Sequence, residues 1–231
     1  MKNTLTVIVP VLNEEKHLED SVNNLLLKKE FTEIFLVDDC SIDKSLEIMK
    51  KIEINNNNVT CFESKYSTNR GKGDAITRVK DFIKTDYVVI HDADLEYNPD
   101  DIIEMMELID FNEDTFVIGS RFLKDKKIQH YYRTHFANRF LSRLFTLFHG
   151  KKISDIATCY KLMPATFFKE TEFIEKGFAI EIELVAKFLR VSKNIKEFPI
   201  KYTARTYEDG KKIKSIDGIR YIYTIFKYRF I

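Results

Sequence analysis

Short apolar runs alternate with longer amphipathic stretches through the first half of the chain. Such runs are typical of strands buried on both faces of a parallel sheet, and the stretches between them have helical periodicity. We predict strands at residues 5–10, 33–37, 59–62, 87–90 and 115–118, and helices at residues 14–28, 41–52, 73–84 and 99–109. The alternation indicates an α/β protein with a Rossmann-like, mostly parallel central sheet.

The second half of the chain has longer amphipathic stretches and few strand signals. We predict helices at residues 133–148, 180–190 and 216–230, and one strand at residues 195–200. Residues 203–213 are charged and contain Gly210, which is typical of a mobile surface loop. Because no repeat or linker interrupts the pattern, we expect a single domain over residues 1–231.

Composition excludes several classes of protein. The chain has 231 residues, 44% of them hydrophobic, which is enough for a folded core. Its 37 basic and 36 acidic residues give a net charge of +1, so no global field favours nucleic acid. Cys40, Cys61 and Cys159 lack disulfide or zinc spacing. We see neither a signal peptide nor a stretch of ~20 apolar residues that could span a bilayer, and we expect a cytoplasmic protein.

The most informative polar residues follow the predicted strand at residues 87–90. Asp92, Ala93, Asp94 and Glu96 lie at its carboxyl end, which is where open α/β sheets bind ligands. Unpaired carboxylates this close repel each other, so they need a cation. Hard oxygen ligands suit Mg²⁺ or Mn²⁺, which could also hold a diphosphate. The alternative is that the aspartates only cap the turn and the next helix.

Polar residues also follow the first two predicted strands, at the same edge of the sheet. Pro10, Asn13 and Glu14 follow the first strand, and Asp38 and Asp39 follow the second. An acid at the second position commonly accepts hydrogen bonds from a ribose or a base, and it can equally cap the next helix.

Two glycines flank a lysine where the predicted helix at residues 73–84 begins. In Arg70-Gly-Lys-Gly73, glycines let backbone N–H groups approach an anion, and Lys72 adds a positive charge. The segment matches neither the P-loop nor the dinucleotide-binding fingerprint, which disfavours ATPase and NAD-dependent activities.

Five segments share their order and spacing with the motifs of one family. They are Ile8-Val-Pro-Val-Leu-Asn-Glu14, Val37-Asp-Asp-Cys-Ser41, Arg70-Gly-Lys-Gly73, Asp92-Ala-Asp-Leu-Glu96 and Gly119-Ser-Arg121, and the likeness continues through residues 155–161, 177–183 and 205–213. The chain thereby resembles glycosyltransferase family 2, specifically its polyprenyl-phosphate branch of dolichol-phosphate mannose and glucose synthases. The resemblance implies a GT-A type fold, with a nucleotide-sugar-binding half at residues 1–120 and an acceptor-binding half at residues 121–231.

The resemblance also implies roles for individual residues. Residues expected to bind the nucleotide-diphosphate sugar are Pro10, Asn13, Glu14, Asp38, Asp39, Lys72, Asp92, Ala93 and Asp94. Asp92, Asp94 and Glu96 would surround Mg²⁺ or Mn²⁺, although many relatives have glutamine in place of Glu96. Arg121, Arg133 and Arg205 would meet the acceptor phosphate, a task that suits guanidinium groups because they pair bidentately and stay charged. Any one of them alone could instead be a surface arginine.

The implied reaction is an inverting transfer of a hexose, from UDP-glucose or GDP-mannose, to a polyprenyl phosphate. A phosphate acceptor is already an anion at neutral pH and needs no strong protein base, while Lys72 and the metal would stabilise the leaving diphosphate. Asp94, Lys72, Arg121 and Asp155 are the catalytic candidates. Asp155 would order the acceptor pocket or a neighbouring arginine, or serve as general base for a saccharide hydroxyl acceptor.

Two other classes of protein stay open at this point. A nucleotidyltransferase also uses an α/β sheet, two carboxylates and a metal, but it usually has a glycine-rich N-terminal loop that this chain lacks. An inactive nucleotide-sugar-binding module would have little use for Asp92, Asp94, Arg121 and Arg205 together.

The amphipathic segments at residues 136–148 and 216–231 mix aromatic, aliphatic and basic residues. Such helices either bury their apolar face in the core or lie in a membrane interface. A peripheral contact with the cytoplasmic face of a membrane, or with a membrane partner protein, is therefore an alternative to simple core packing.

Overall fold

Seven strands form one central sheet in the computed structural model, which describes residues 3–110, 114–123, 132–205 and 215–231. The sheet order is β3-β2-β1-β4-β6-β5-β7. The strands are β1 (Leu5–Val11), β2 (Glu33–Asp38), β3 (Val59–Phe62), β4 (Tyr87–Ile90), β5 (Phe116–Ser120), β6 (Lys161–Pro164) and β7 (Ile195–Pro199).

Most neighbouring strands run parallel. β1 pairs in parallel with both β2 and β4, β2 with β3, and β5 with β7, whereas β6 is antiparallel to β4 and β5. The prediction of an α/β protein with a mostly parallel sheet is confirmed. Because β1, β2 and β4 are parallel neighbours, their carboxyl ends meet at one edge, and the polar residues that follow them come together there.

Helices connect the strands and pack against the sheet. They are α1 (Leu18–Leu26), α2 (Ser45–Asn55), α3 (Lys72–Thr77), α4 (Pro99–Met106), α5 (Tyr132–His149), α6 (Ala165–Glu170), α7 (Ile180–Val191) and α8 (Ser215–Phe230), with a 3₁₀ turn at Lys80–Phe82. The predicted helix at residues 73–84 is divided between α3 and this turn. β6 and α6 were not predicted.

Two helices start later than predicted because polar residues form turns first. The carbonyl of Glu14 accepts hydrogen bonds from the backbone N–H groups of His17 and Leu18, so α1 begins at Leu18. Asp43 accepts a hydrogen bond from the backbone N–H of Ser45, 2.9 Å away, at the start of α2. Both turns leave the segments after β1 and β2 free of helix, beside the shared edge of the sheet.

The two long helices of the second half pack against each other. Leu141 and Phe145 of α5 and Tyr221 and Ile225 of α8 are buried. Core packing therefore accounts for one face of each helix, whereas the opposite faces expose large apolar side chains. No helix among the described residues is both long and apolar enough to cross a membrane.

Candidate active site

A cavity of about 480 Å³ lies at the carboxyl edge of β1, β2 and β4. It collects most of the predicted site residues: Pro10, Asn13, Glu14, Asp39, Lys72, Asp92, Ala93, Asp94, Glu96, Arg121 and Arg205. Asp38 and Asp155 are not part of its lining. Arg133 lies in α5, and its side chain is outside the described part of the chain, as is the predicted loop from residue 206 to 213.

Asp92 and Asp94 follow β4 and both reach the cavity, each paired with a different cation. The Asp92 carboxylate lies 2.7 Å from the Lys72 ammonium, and the Asp94 carboxylate lies 3.0 Å from the Arg205 guanidinium. Burial opposes ionisation of Asp92, but Lys72 outweighs it and holds the pKa of Asp92 below its usual value. Burial, with the charges of Asp92 and Glu96, raises the pKa of Asp94 to about 7.

Glu96 fastens the segment at residues 202–205 to the cavity. One of its oxygens accepts a hydrogen bond from the Tyr202 hydroxyl at 2.8 Å, and the other accepts one from the backbone N–H of Arg205 at 2.8 Å. Its own carbonyl accepts a hydrogen bond from the Thr203 N–H. Glu96 thus already has a structural role in fixing Arg205, and its predicted part as a metal ligand stays a prediction.

Arg205 joins the ends of β1 and β4. Its guanidinium lies 3.1 Å from a Glu14 oxygen and 3.0 Å from an Asp94 oxygen. Burial would lower the pKa of Arg205, but the Asp94 and Glu14 charges raise it above its usual value. One basic side chain thereby offsets two acids that come from distant parts of the sequence.

Lys72 is held between two acids rather than turned towards open solvent. Its ammonium lies 2.7 Å from Asp92 and 2.8 Å from Glu181 of α7, and Glu181 also contacts Lys161 at 2.7 Å. Burial opposes the charge on Lys72, but Asp92 raises the pKa of Lys72 well above its usual value. Sequence reasoning did not predict Glu181, although an acid inside the apolar run of α7 signals a paired buried charge.

The glycines beside Lys72 allow close backbone approach. A Cβ on Gly73 would lie 2.1 Å from the Glu175 carbonyl oxygen, and Gly71 has φ +101°, a conformation that L side chains rarely adopt. The N–H groups of Arg70 and Gly71 donate to the Asp39 carboxylate at 3.0 and 2.7 Å. The segment therefore packs against the turn before α7 and orients Asp39 towards the cavity.

Asp38 stabilises a turn instead of facing the cavity. Its two oxygens accept hydrogen bonds from the backbone N–H groups of Cys40 and Ser41, both at 3.0 Å. Cys40 has φ +66°, in the left-handed region, so this turn benefits from a fixed acceptor. This turn role was not predicted for Asp38, and its expected part in nucleotide-sugar binding stays a prediction.

Arg121 reaches the cavity from the end of β5 and is fixed by Asp155. Its Nε and a terminal nitrogen donate to the two Asp155 oxygens at 2.7 and 2.8 Å, and its backbone N–H donates to the same carboxylate at 3.1 Å. Asp155 is fully buried. The guanidinium also lies 5.0 Å from the ring centroid of Tyr202. Arg121 is therefore held in one orientation at the cavity wall.

His91 supports the β4 edge from the interior. It is buried, with Nε2 3.2 Å from the Ser21 hydroxyl and Nδ1 2.9 Å from the Tyr160 hydroxyl. Burial lowers the pKa of His91 to about 4. Its neutral ring therefore packs beneath Asp92 as part of the core.

The cavity lining carries an excess of acid. Its carboxylates are Glu14, Asp39, Asp92, Asp94, Glu96 and Glu181, and its cationic side chains are Lys72, Arg121 and Arg205. No three acidic, histidine or cysteine side chains among the described residues are already grouped as a metal centre. Nevertheless, the paired hard oxygen donors of Asp92 and Asp94, and the repulsion that raises the pKa of Asp94, fit a divalent cation.

The mostly parallel sheet, with an acidic cavity at its carboxyl edge, is that of a GT-A type α/β protein. The model of the glycosyl transferase family 2 matches residues 6–171, and the chain belongs to this family. It is a glycosyltransferase.

Two relatives with named activities support the same conclusion. A UDP-N-acetylglucosamine–dolichyl-phosphate N-acetylglucosaminyltransferase of Methanococcus voltae is 29% identical, and the match covers 95% of this chain and 93% of the relative. A dolichol-phosphate mannosyltransferase of Pyrococcus furiosus is 26% identical, over 97% of this chain and 64% of the relative.

Solved structures share the fold. Glucosyl-3-phosphoglycerate synthase from Mycobacterium tuberculosis, in complex with Mn²⁺, UDP and glucosyl-3-phosphoglycerate, superposes with a TM-score of 0.73 at 16% identity. The match covers 99% of this chain and 81% of that structure. At this identity the likeness is evidence for the fold alone.

Proposed function

We propose that this enzyme transfers a hexose, with inversion and with a divalent metal, from a nucleotide-diphosphate sugar to a polyprenyl phosphate. The excess of carboxylates in the cavity lining carries the proposal. A donor diphosphate is itself strongly negative, so it would be repelled by this lining unless a cation entered with it. The Mycobacterium tuberculosis synthase, which binds Mn²⁺ together with UDP, agrees with such a pairing.

Asp92 and Asp94 are the residues that would hold Mg²⁺ or Mn²⁺, with Glu96 as a third candidate. When bound, such an ion supplies charge stabilisation to the leaving nucleoside diphosphate. Lys72 lies 2.7 Å from Asp92 and would add a fixed positive charge on the same side of the cavity. Glu181, 2.8 Å from the same ammonium, helps to fix its position.

The donor would occupy the part of the cavity formed by residues after β1 and β2. Pro10, Asn13, Glu14 and Asp39 line it, and Asp39 is positioned by two backbone N–H groups. A carboxylate there can accept hydrogen bonds from ribose hydroxyls. UDP-glucose and GDP-mannose are the first donors to test, and the name of the Methanococcus voltae relative adds UDP-N-acetylglucosamine.

The acceptor phosphate would meet Arg121 and Arg205, with Arg133 as a further candidate. Both described arginines line the cavity, and their guanidinium groups are oriented by Asp155 or by Glu14 and Asp94. A guanidinium group held in place is suited to pairing with a phosphate. The names of the Methanococcus voltae and Pyrococcus furiosus relatives, which specify dolichyl or dolichol phosphate, support this class of acceptor.

A saccharide hydroxyl acceptor is the second candidate, because it would use Asp155 as general base. The geometry disfavours it. Asp155 is fully buried, outside the cavity lining, and both of its oxygens accept hydrogen bonds from Arg121. A general base must reach the proton that it removes. A phosphate acceptor needs no such base, so the buried Asp155 fits the role of an arginine-positioning residue.

The proposal is tested by turnover with each of the three donors, a short-chain polyprenyl phosphate, and Mg²⁺ or Mn²⁺. Formation of a glycosyl phosphate whose anomeric configuration, measured by NMR, is opposite to that of the donor supports it. Metal-independent turnover, or retention of configuration, would refute it.

A further inference from the structure

The outer faces of α5 and α8 carry large apolar side chains in two matching stripes. On α5 the apolar positions are Phe136, Phe140 and Leu147, with Arg143 between the last two, and on α8 they are Ile219, Tyr223, Phe226 and Phe230. Both stripes have the spacing i, i+4, i+7 and i+11, which places each set along one side of its helix. All eight residues are exposed, and the fractional exposure of Phe136 and Phe230 is 72% and 79%.

The two stripes form one surface. The rings of Phe148 and Phe226 meet edge to face at 4.4 Å, so the helices are in direct contact there. Contiguous exposed apolar patches of this kind are uncommon on soluble proteins and mark an interaction site. We call this surface the α5/α8 face.

Its charge is almost entirely basic. Arg139 and Arg143 of α5 and Arg229 of α8 are exposed beside the stripes, and the sequence of α5 contains no acid. Arg220 and Lys227 of α8 are instead paired with the buried Glu175, at 3.1 and 2.8 Å. The chain as a whole has nearly equal numbers of basic and acidic residues. The basic excess is therefore a local property of these two helices.

We infer that the α5/α8 face binds the surface of a membrane that contains anionic lipids. Aromatic and aliphatic side chains flanked by arginine and lysine have the composition of a helix that lies in the lipid interface. Anionic headgroups complement the basic residues. A second copy of this chain is disfavoured as the occupant, because a two-fold contact would bring basic residues against basic residues.

The α5/α8 face is connected to the cavity by the opposite sides of the same helices. Asn138 and Tyr221 both line the cavity. Each lies two residues after the first residue of its stripe, which is about 200° around the helix. Only about one helix diameter, ~10 Å, separates the membrane-binding face from the cavity. The inference extends the proposed function, because a polyprenyl phosphate would then be presented beside Arg121 and Arg205.

Vesicle sedimentation tests the inference without substrates. The whole protein is mixed with phosphatidylcholine vesicles, with or without phosphatidylglycerol, and neither polyprenyl phosphate nor nucleotide is present. We expect binding to the anionic vesicles that weakens as salt is added. The variant Phe136→Ser/Phe230→Ser should bind at least about tenfold more weakly, since it loses two apolar contacts with the lipid.

Ile42→Ser/Ile54→Ser is the matched control, because both residues are exposed but lie outside the α5/α8 face. It should bind like the unmodified protein. A second test variant, Arg143→Glu/Arg229→Glu, should lose its preference for phosphatidylglycerol, and thermal unfolding shows whether each variant is folded.

The inference would be overturned if Phe136→Ser/Phe230→Ser bound the anionic vesicles as well as Ile42→Ser/Ile54→Ser does. A wild-type dimer that dissociates in Phe136→Ser/Phe230→Ser while neither protein binds vesicles would also overturn it. The vesicles contain no acceptor, so this assay is independent of the turnover assay. Binding to vesicles by a protein that shows no turnover would contradict the proposed function alone. Turnover by a protein that does not bind vesicles would contradict the membrane inference alone.

Discussion

Arg121 and Asp155 form a two-point ion pair, with nitrogen–oxygen distances of 2.7 and 2.8 Å, at the wall of the cavity. The carboxylate is fully buried and the guanidinium faces the cavity. The pair therefore presents a fixed cation, not a free base, to whatever enters. This arrangement favours an acceptor that is already an anion over an acceptor that must lose a proton to a base.

Asp155→Asn should weaken use of the acceptor more than it slows chemistry. The guanidinium would lose a charged partner and its fixed orientation, so we expect the acceptor KM to rise about 10- to 100-fold, as is typical for misplaced binding groups. Arg121→Lys keeps the charge but loses the two-point pair, and it should change KM in the same direction. Steady-state kinetics across pH checks both. A normal KM with kcat reduced to background would instead assign Asp155 as the base.

Asp94→Ala should abolish metal-dependent turnover while leaving the fold intact. Loss of this carboxylate removes a candidate metal ligand, and we expect kcat to fall by at least about 10²–10³-fold. The melting temperature should change little, because the substitution also relieves repulsion with Asp92 and Glu96. Asp20→Ala, at an exposed acid of α1 outside the cavity, is the control. Full activity of Asp94→Ala with a normal melting curve would rule out the assigned metal site.

Arg205→Ala should impair use of the acceptor more than binding of the donor. Arg205 is one of two described arginines at the cavity that could receive a phosphate. In the proposed function, donor binding uses Lys72 and Asp39 as well. We expect the acceptor KM to rise about tenfold or more, as for loss of a charge-assisted hydrogen bond. Donor affinity is measured separately by calorimetry, with Lys201→Ala as a control in the same segment. An equal loss of donor affinity would show that Arg205 belongs to the donor site.

Gly73→Ala should destabilise the protein. The added methyl group would lie 2.1 Å from the Glu175 carbonyl oxygen, and backbone must move to relieve the clash. We expect the free energy of unfolding to fall by about 1–3 kcal/mol or more. Gly218→Ala in α8 is the matched control, since nothing lies within 4 Å of its added Cβ. It should be neutral or stabilising, by up to ~1 kcal/mol. Chemical denaturation of both variants decides the point, and equal midpoints would contradict the close approach.

The sheet was predictable where apolar runs are buried on both faces, as in β1, β2 and β4. β6 was missed because it is short and begins with Lys161, a residue that single-sequence reasoning places on the surface. In the structure, Glu181 neutralises this lysine within the core. The ion pair between Lys161 of β6 and Glu181 of α7 is a tertiary contact, which no local sequence pattern predicts.

The candidate site was predictable as far as it follows from strand ends. Asp39, Asp92 and Asp94 line one cavity because parallel neighbouring strands bring them to the same edge. The partners of these residues were harder to foresee. Asp38 is the residue before Asp39, yet its carboxylate accepts hydrogen bonds within a turn. Lys72 pairs with Glu181 as well as with Asp92, and Glu181 is more than a hundred residues away along the chain.

The most direct test of the account compares two acceptors that differ only in their phosphate. Labelled sugar from each donor is offered, with Mn²⁺ or Mg²⁺, to a polyprenyl phosphate and to the corresponding polyprenol, and lipid-borne label is measured. We predict label in the phosphate lipid only, and none after EDTA. Label in the polyprenol or in a saccharide, with none in the polyprenyl phosphate, would contradict the account and make Asp155 the base to test.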